Sequence, residues 1–560
     1  MQSVLSIDQI RRLLRAVQDR FEVSDTCGIA LEGSLAEGLG NSSSDVDFLV
    51  IADEEFDFPV IPTLLFIDGY RVEVRTRSAS EMKRQLAKVA EAARRGKRSI
   101  RQLDEEDLDR CQRFLSAIDV QNEAYLSSVR RFLPRSVLDG VIATWLSEQA
   151  RDSLHCAVAM DTLGLPASAV SWAQSALTEA AKSWLARKGD CYLAKKWLSE
   201  QLTRTAPGDE LTNSILELET LARSGLEPRD YLERVFEILR RLGLAGKDFD
   251  GRNLVLEKAA HVTTWQLGER VHLLRNKTEL FALSAQAADT WRSLRFGGSL
   301  LELIDGGERR SEQGSVISQF HGLGLVEIAW RGAGVIRRRK TTNLPPYIQW
   351  PVLSPDGLIV GDDAPSIVLS ALPPSRFAAA GMALLYVNMV IENAREDALG
   401  AMDGAQWRVF ERSVKRMLRF ACFAMLSSYG INPLPPVEEV YGIVEELKQA
   451  PPALRAHIIE FERTLRIEDK QSALSALRRM DAIASEMRQN TKGSVFPSSF
   501  ESASGWQQTL NMGFDWARLG AFLDAKFPLE QARDLIQSGK TARPIVKQPA
   551  DRSGARGLPS

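Results

Sequence analysis

Cysteine is scarce in this 560-residue chain, and its five copies are scattered. Cys27, Cys111, Cys156, Cys191 and Cys422 include no pair at metal-ligand spacing and fall short of the density of a secreted disulfide scaffold. They are expected to be reduced core thiols. Histidine is equally sparse: His155, His261, His272, His321 and His457 are unclustered, which argues against a zinc site or a histidine-dependent nucleophile. An excess of charge is missing too. The formal net charge of -2 supplies no global field toward nucleic acid or anionic membranes, so binding must come from local sites. The opening segment lacks the continuous apolar region of a secretory signal; instead Ile7, Ile10, Leu14, Val17 and Phe21 recur at helical spacing. The most apolar later stretch, residues 377–391, is shorter than the ~20 residues a spanning helix needs. No membrane span is expected, a cytoplasmic location is, and no repeat of solenoid length is present.

What remains is an ordinary globular composition in a chain too long for one core, with about three or four domains expected from length alone. CGIALEGS and DVDFLVIA read as neighbouring strands around a Gly/Ser/Asn-rich loop. TLLFI and RVEVRTR flank Asp68-Gly69-Tyr70, and Asp-Gly between β-branched runs marks a hairpin. From Ser78 to about Gly243 the pattern turns helical, strand-like runs return in RVHLLRN, TELFALS and GLVEIAW, and a second helical stretch runs from Arg376 to about Met487. The tail is poor in apolar residues and is expected to be disordered, and Arg337-Arg338-Arg339-Lys340 reads as a solvated basic loop.

The informative segment is GSLAEGLGNSSSDVDFLV, Gly33 to Val50. Side chains two apart on a strand project together, so Asp45 and Asp47 point to one side and Val46 to the other. Two carboxylates held that close need cations between them, and hard oxygen ligands on one edge suit Mg²⁺, with triphosphate oxygens and water completing the shell. Glu73, in Arg71-Val72-Glu73-Val74-Arg75, is the natural third carboxylate; the plainer alternative is an exposed strand residue paired with Arg71 or Arg75. Such a set, with two metal ions, serves in-line displacement at the α-phosphorus of an NTP. Gly33 would let the backbone approach the triphosphate, and Ser34 would donate to its oxygens.

This pattern resembles the minimal nucleotidyltransferase domain of the DNA polymerase β superfamily, in which Gly-Ser precedes Asp-x-Asp by about ten residues and another acid follows on a later strand. A helical domain follows directly, so the nearest likeness is to antibiotic nucleotidyltransferases of the kanamycin type. That resemblance implies catalytic and metal-binding roles for Asp45, Asp47 and Glu73, nucleotide contacts from Gly33 and Ser34, two Mg²⁺ ions (or Mn²⁺), and an NTP, expected to be ATP, as co-substrate. It also makes Glu148 the candidate general base on the helix VIATWLSEQARDSLHCA, with Asp152 standing where the family often has lysine. The expected fold class is α+β multidomain: a nucleotidyltransferase unit of mixed sheet and helices over 1–100, a helical domain over 101–245, a small winged-helix-like domain over 246–345, a second helical domain over 346–535 and a disordered tail over 536–560.

The middle segment, with two strands, a helix carrying Trp291, further helices and a closing Gly324-Leu325-Val326 strand, resembles a winged helix and also the PqqD-like peptide-recognition domains. Leu283, Ser284 and Leu303 complete that likeness. It implies a leader peptide pairing with an exposed edge strand, and hence a peptide or natural-product acceptor. A purely structural winged helix explains the same pattern. Two further readings stand beside a metabolite- or peptide-directed transferase: a defence or toxin-type enzyme that modifies a protein or makes a cyclic nucleotide, and an inactive peptide-binding scaffold. The last helical segment could cover the active cleft or form a homodimer.

Overall fold

A computed structural model describes residues 5–19, 26–42, 44–53, 63–220, 227–267, 270–276, 279–304, 310–336, 367–371, 375–428, 434–447 and 450–490. The basic run at 337–340 and the C-terminal tail lie outside the described residues, so those two expectations are left where they stand. Helices and strands mix throughout, giving an α+β protein.

Five strands, β1 (Gly28–Glu32), β2 (Val46–Ala52), β3 (Thr63–Ile67), β4 (Tyr70–Ser78) and β5 (Ile118–Gln121), form a mixed sheet of order β3-β4-β2-β1-β5. Only β2 and β4 run parallel. The β3–β4 hairpin turns through Asp68 and Gly69, both at positive φ (50° and 82°), which is the backbone the Asp-Gly pair implied. Strand alternation sorts the two faces. Val46, Phe48 and Val50 of β2, Ile29 and Leu31 of β1 and Val72 and Val74 of β4 pack under α1 (Ile7–Gln18). Ala30, Leu49 and Ile51 face the other way, against α3 (Ala79–Arg95), α5 (Glu105–Ser116) and α6 (Glu123–Arg130), which follow the short α2 (Gly33–Ala36) and α4 (Lys97–Ile100). β5 lies in a segment read from sequence as wholly helical; its four residues are half-buried at most, so no apolar alternation announces them.

The longest helix of the first half, α7 (Arg135–Thr162), serves two cores. Leu138, Val141, Ile142 and Leu146 join the helices on the sheet, whereas Leu154, Ala157 and Met160 pack with α8 (Pro166–Arg187). The turn between α7 and α8 places Gly164 at φ 75°. α9 (Leu198–Thr205), α10 (Glu210–Thr220) and α11 (Pro228–Arg241) complete this layer.

Beyond it, β6 (Leu254–Lys258) pairs with β10 (Val326–Trp330), which also holds β11 (Gly334–Val335). β7 (Val262–Leu267), β8 (Arg270–Arg275), β9 (Glu279–Leu283) and β12 (Ile367–Ala371) form an antiparallel sheet of order β12-β9-β8-β7. The order of two strands, α12 (Ala285–Ser293), α13 (Leu300–Ile304), α14 (Arg310–Gly322) and β10 is the one read from sequence. Trp291 is buried there and donates to Thr264 Oγ1 at 3.0 Å. The outer edge of β9 is not open, however. β12 pairs along it, which leaves β7 and β12 as the edge strands of this sheet. The C-terminal helices are α15 (Ser375–Asp403), α16 (Trp407–Ser428), α17 (Val440–Glu446), α18 (Pro452–Thr464) and α19 (Lys470–Asn490). Among the described residues no helix is long and apolar enough to cross a membrane.

Candidate active site

The face of the sheet away from α1 carries a row of acids at the end of its central strands. In register across β1, β2 and β4, Glu32 stands opposite Asp47 and Asp47 opposite Glu73. Adjacent in-register residues share a face, so all three carboxylates emerge together, with Asp45, two residues before Asp47, beside them. Ligand atoms of Asp45, Asp47 and Glu73 come within 4.8 Å of one another, a set that could hold a metal ion. Asp47 is buried, and its carboxyl is pushed up to about 7, first by loss of water and further by Glu32 and Glu73, while Arg75 and Arg113 pull it down. A buried acid so crowded by like charge is the environment a divalent cation relieves.

Gly33 has a more exacting task than a loose loop. Its φ is +80°, and a Cβ placed on it would lie 2.2 Å from Asp47 Oδ2. The missing side chain is therefore the space in which the Asp47 carboxylate sits. Ser34 follows on α2 and lines the same cavity, and its carbonyl accepts from Leu39 and Gly40 N–H at 2.9 Å each, closing the loop.

Arginines interleave the acids. Arg71 pairs with Asp45 and also with Glu396 on α15. Arg75 Nε donates to Glu73 at 2.7 Å and its terminal nitrogen to Glu32 at 3.2 Å. Arg113, on α5, lies 2.9 Å from Asp109 and 3.9 Å from Asp47. Glu32 is the participant that sequence reasoning missed. It ends the apolar run Ala30-Leu31 directly before Gly33, and only the strand register places it beside Asp47. Burial raises its carboxyl above the ordinary range, and Arg75 opposes that shift.

The six residues expected from sequence divide here. Gly33, Ser34, Asp45, Asp47 and Glu73 converge, but Glu148 does not join them. Its carboxylate is buried, pairing with Lys97 Nζ at 2.8 Å and with Arg151, and it is absent from the cavity wall. α7 turns this face toward α4 and the loop after it, where Asp152 likewise takes Arg101 at 2.7 Å.

The acids open into a cavity of about 920 Å³, near the upper end of the ~300–1,000 Å³ common for small-molecule sites. Its walls are the sheet edge, α5, α8, the segment 192–196, α15 and α16. The segment is held from behind by the fully buried Lys182, whose Nζ donates to the Tyr192 and Ala194 carbonyls at 2.8 Å each and to Gln201. Burial holds that amine well below its ordinary range.

Residues 5–224 match a family model described as a family of unknown function (DUF6001). No curated protein matches the chain. Among solved structures it is similar to a nucleotidyltransferase-like protein from Exiguobacterium sibiricum 255-15, at 15% identity and a TM-score of 0.26, over 42% of this chain and 74% of that one. Overlap this loose carries no functional weight, and the chemistry is read from the carboxylates themselves.

Proposed function

We propose that the chain transfers a nucleoside monophosphate from an NTP to a hydroxyl of a small-molecule acceptor and releases pyrophosphate. The observation that carries this reading is the convergence of Asp45, Asp47 and Glu73 beside Gly33-Ser34 at the mouth of a large polar cavity. Bound Mg²⁺ would supply Lewis acidity at the phosphoryl oxygens and lower the pKa of the attacking hydroxyl. The residues fit that ion: all three donors are carboxylate oxygens, and a cation would offset the burial, and with it the neighbouring carboxylates, that raise Asp47.

In the transfer, a bond forms between the acceptor oxygen and the α-phosphorus. The bond from that phosphorus to the bridging oxygen breaks, pyrophosphate leaves with the electron pair, and the hydroxyl proton passes to water. Ser34 offers a hydroxyl to the departing phosphates, and Arg113 and Arg75, already at the acids, would neutralise the charge that develops there. α8 and α16 would enclose the acceptor.

The direct test incubates the full chain with each α-³²P-labelled NTP, Mg²⁺ and a metabolite extract. Label should move to an acceptor, and should stop doing so with EDTA. Transfer of a γ-label instead, or no transfer from any NTP, would overturn the reading. A cyclic or oligomeric nucleotide formed without extract would show a nucleotide itself to be the acceptor.

A further inference from the structure

The cavity is electrically divided. Its sheet end is acidic, whereas α16 lines it with one face bearing Arg408, Arg412, Lys415, Arg416 and Arg419 against one acid, Glu411. Spacings of three and four residues put these cations in one stripe along the helix. Two of them have partners: Lys415 donates to Glu411 at 2.5 Å, and Arg412 pairs with Glu219 and bonds the Lys195 carbonyl. Arg408, Arg416 and Arg419 form no ion pair among the described residues, and the buried Arg419 Nε has no hydrogen-bond partner there. Arg408 and Arg412 act on the Glu200 carboxylate of α9, but guanidinium groups without an ion pair on a cavity wall suit a planar or tetrahedral oxyanion.

We propose, resting on the transferase reading above, that this stripe recognises a phosphate group carried by the acceptor, so that the acceptor is a phosphorylated, hydroxyl-bearing small molecule. The triphosphate of the donor has its own cations, Arg71, Arg75 and Arg113, at the metal-binding carboxylates. α16 lines the same cavity, where a second reactant would reach. Gln174 and Thr178, one turn apart on α8, line the same cavity and suit the acceptor's hydroxyls. The product would be a phosphodiester linking the nucleoside monophosphate to an acceptor that keeps its own phosphate.

Calorimetry on the full chain tests this, with inorganic phosphate as the probe, Mn²⁺ present and a non-hydrolysable α,β-methylene ATP at saturation. The wild type should bind phosphate while the nucleotide is bound. Arg408→Ala/Arg416→Ala should weaken phosphate by at least about tenfold and leave nucleotide affinity within about twofold, and the corresponding double Lys variant should retain most phosphate binding. Phosphate affinity that survives the double Ala substitution overturns the proposal, as does phosphate that saturating nucleotide displaces, since the stripe would then hold the donor's own phosphates. Failure of the parent reading has a separate signature: a wild type that takes phosphate but no nucleotide with Mn²⁺.

Discussion

Asp47 and Gly33 act as one unit at the scale of single residues. The carboxylate occupies the volume that any side chain at Gly33 would claim, and the +80° φ disfavours a side chain in any case. Gly33→Ala is therefore expected to push Asp47 aside and weaken Mn²⁺-dependent nucleotide binding by at least about tenfold, at a backbone cost of ~1 kcal/mol in thermal stability. Equilibrium titration beside a melting curve separates the two effects. Glu148 should behave in the opposite way. Glu148→Gln leaves Lys97 and Arg151 short of a countercharge, so ~1–3 kcal/mol of stability should be lost while nucleotide affinity is unchanged. Asp45, Asp47 and Glu73 were legible in the sequence because strand alternation alone puts two of them on one side and gives the third a matching setting. Glu32 was not, since its membership depends on register between strands, which local pattern does not encode. Glu148 was misplaced for a related reason: a helix pattern gives a face but not its rotation against neighbours.

At the scale of elements, the four strands with apolar cores and an Asp-Gly turn could be read directly, whereas β5 and β12 could not. β5 is short and half-exposed, and β12 joins β9 from far along the chain. β12 in turn covers β9, so the edges of that sheet are β7 and β12. Glu439, just before α17, shows how elements far apart in sequence are tied. It accepts from Trp172 Nε1 of α8 at 3.1 Å and from Ser318 Oγ of α14 at 3.2 Å. Burial pushes its carboxyl up to about 7, against an ordinary value of 4.5. The fold thus favours the protonated form: this contribution is intact below about 4.5, falls as pH rises toward 7, and is flat above it. Glu439→Gln should escape that loss, so its stability advantage in denaturant melts should grow to the order of 3 kcal/mol between pH 5 and pH 8. An advantage that does not change with pH would mean that Glu439 stays ionised in the fold.

For the whole molecule, the distant helices are part of the site. Arg71 reaches Glu396 on α15, Asn41 donates to Gln406 at 2.9 Å, and Lys196 holds Asp397 at 2.5 Å, so the acidic edge and the C-terminal helices face one cavity. Nothing in the local sequence of α16 marks its basic stripe as cavity-facing, because Arg and Lys on a helix read as a solvated face until tertiary packing assigns them a neighbour. On the proposed reading, Asp45, Asp47 and Glu73 hold the metal through which an NTP binds. Isothermal titration of α,β-methylene ATP into the full chain, with and without Mn²⁺, and into Asp47→Asn of unchanged melting temperature, tests it most directly. Binding should require Mn²⁺ in the wild type and weaken by at least about a hundredfold in the variant. Metal-independent binding, or equal affinity in both proteins, would contradict the account.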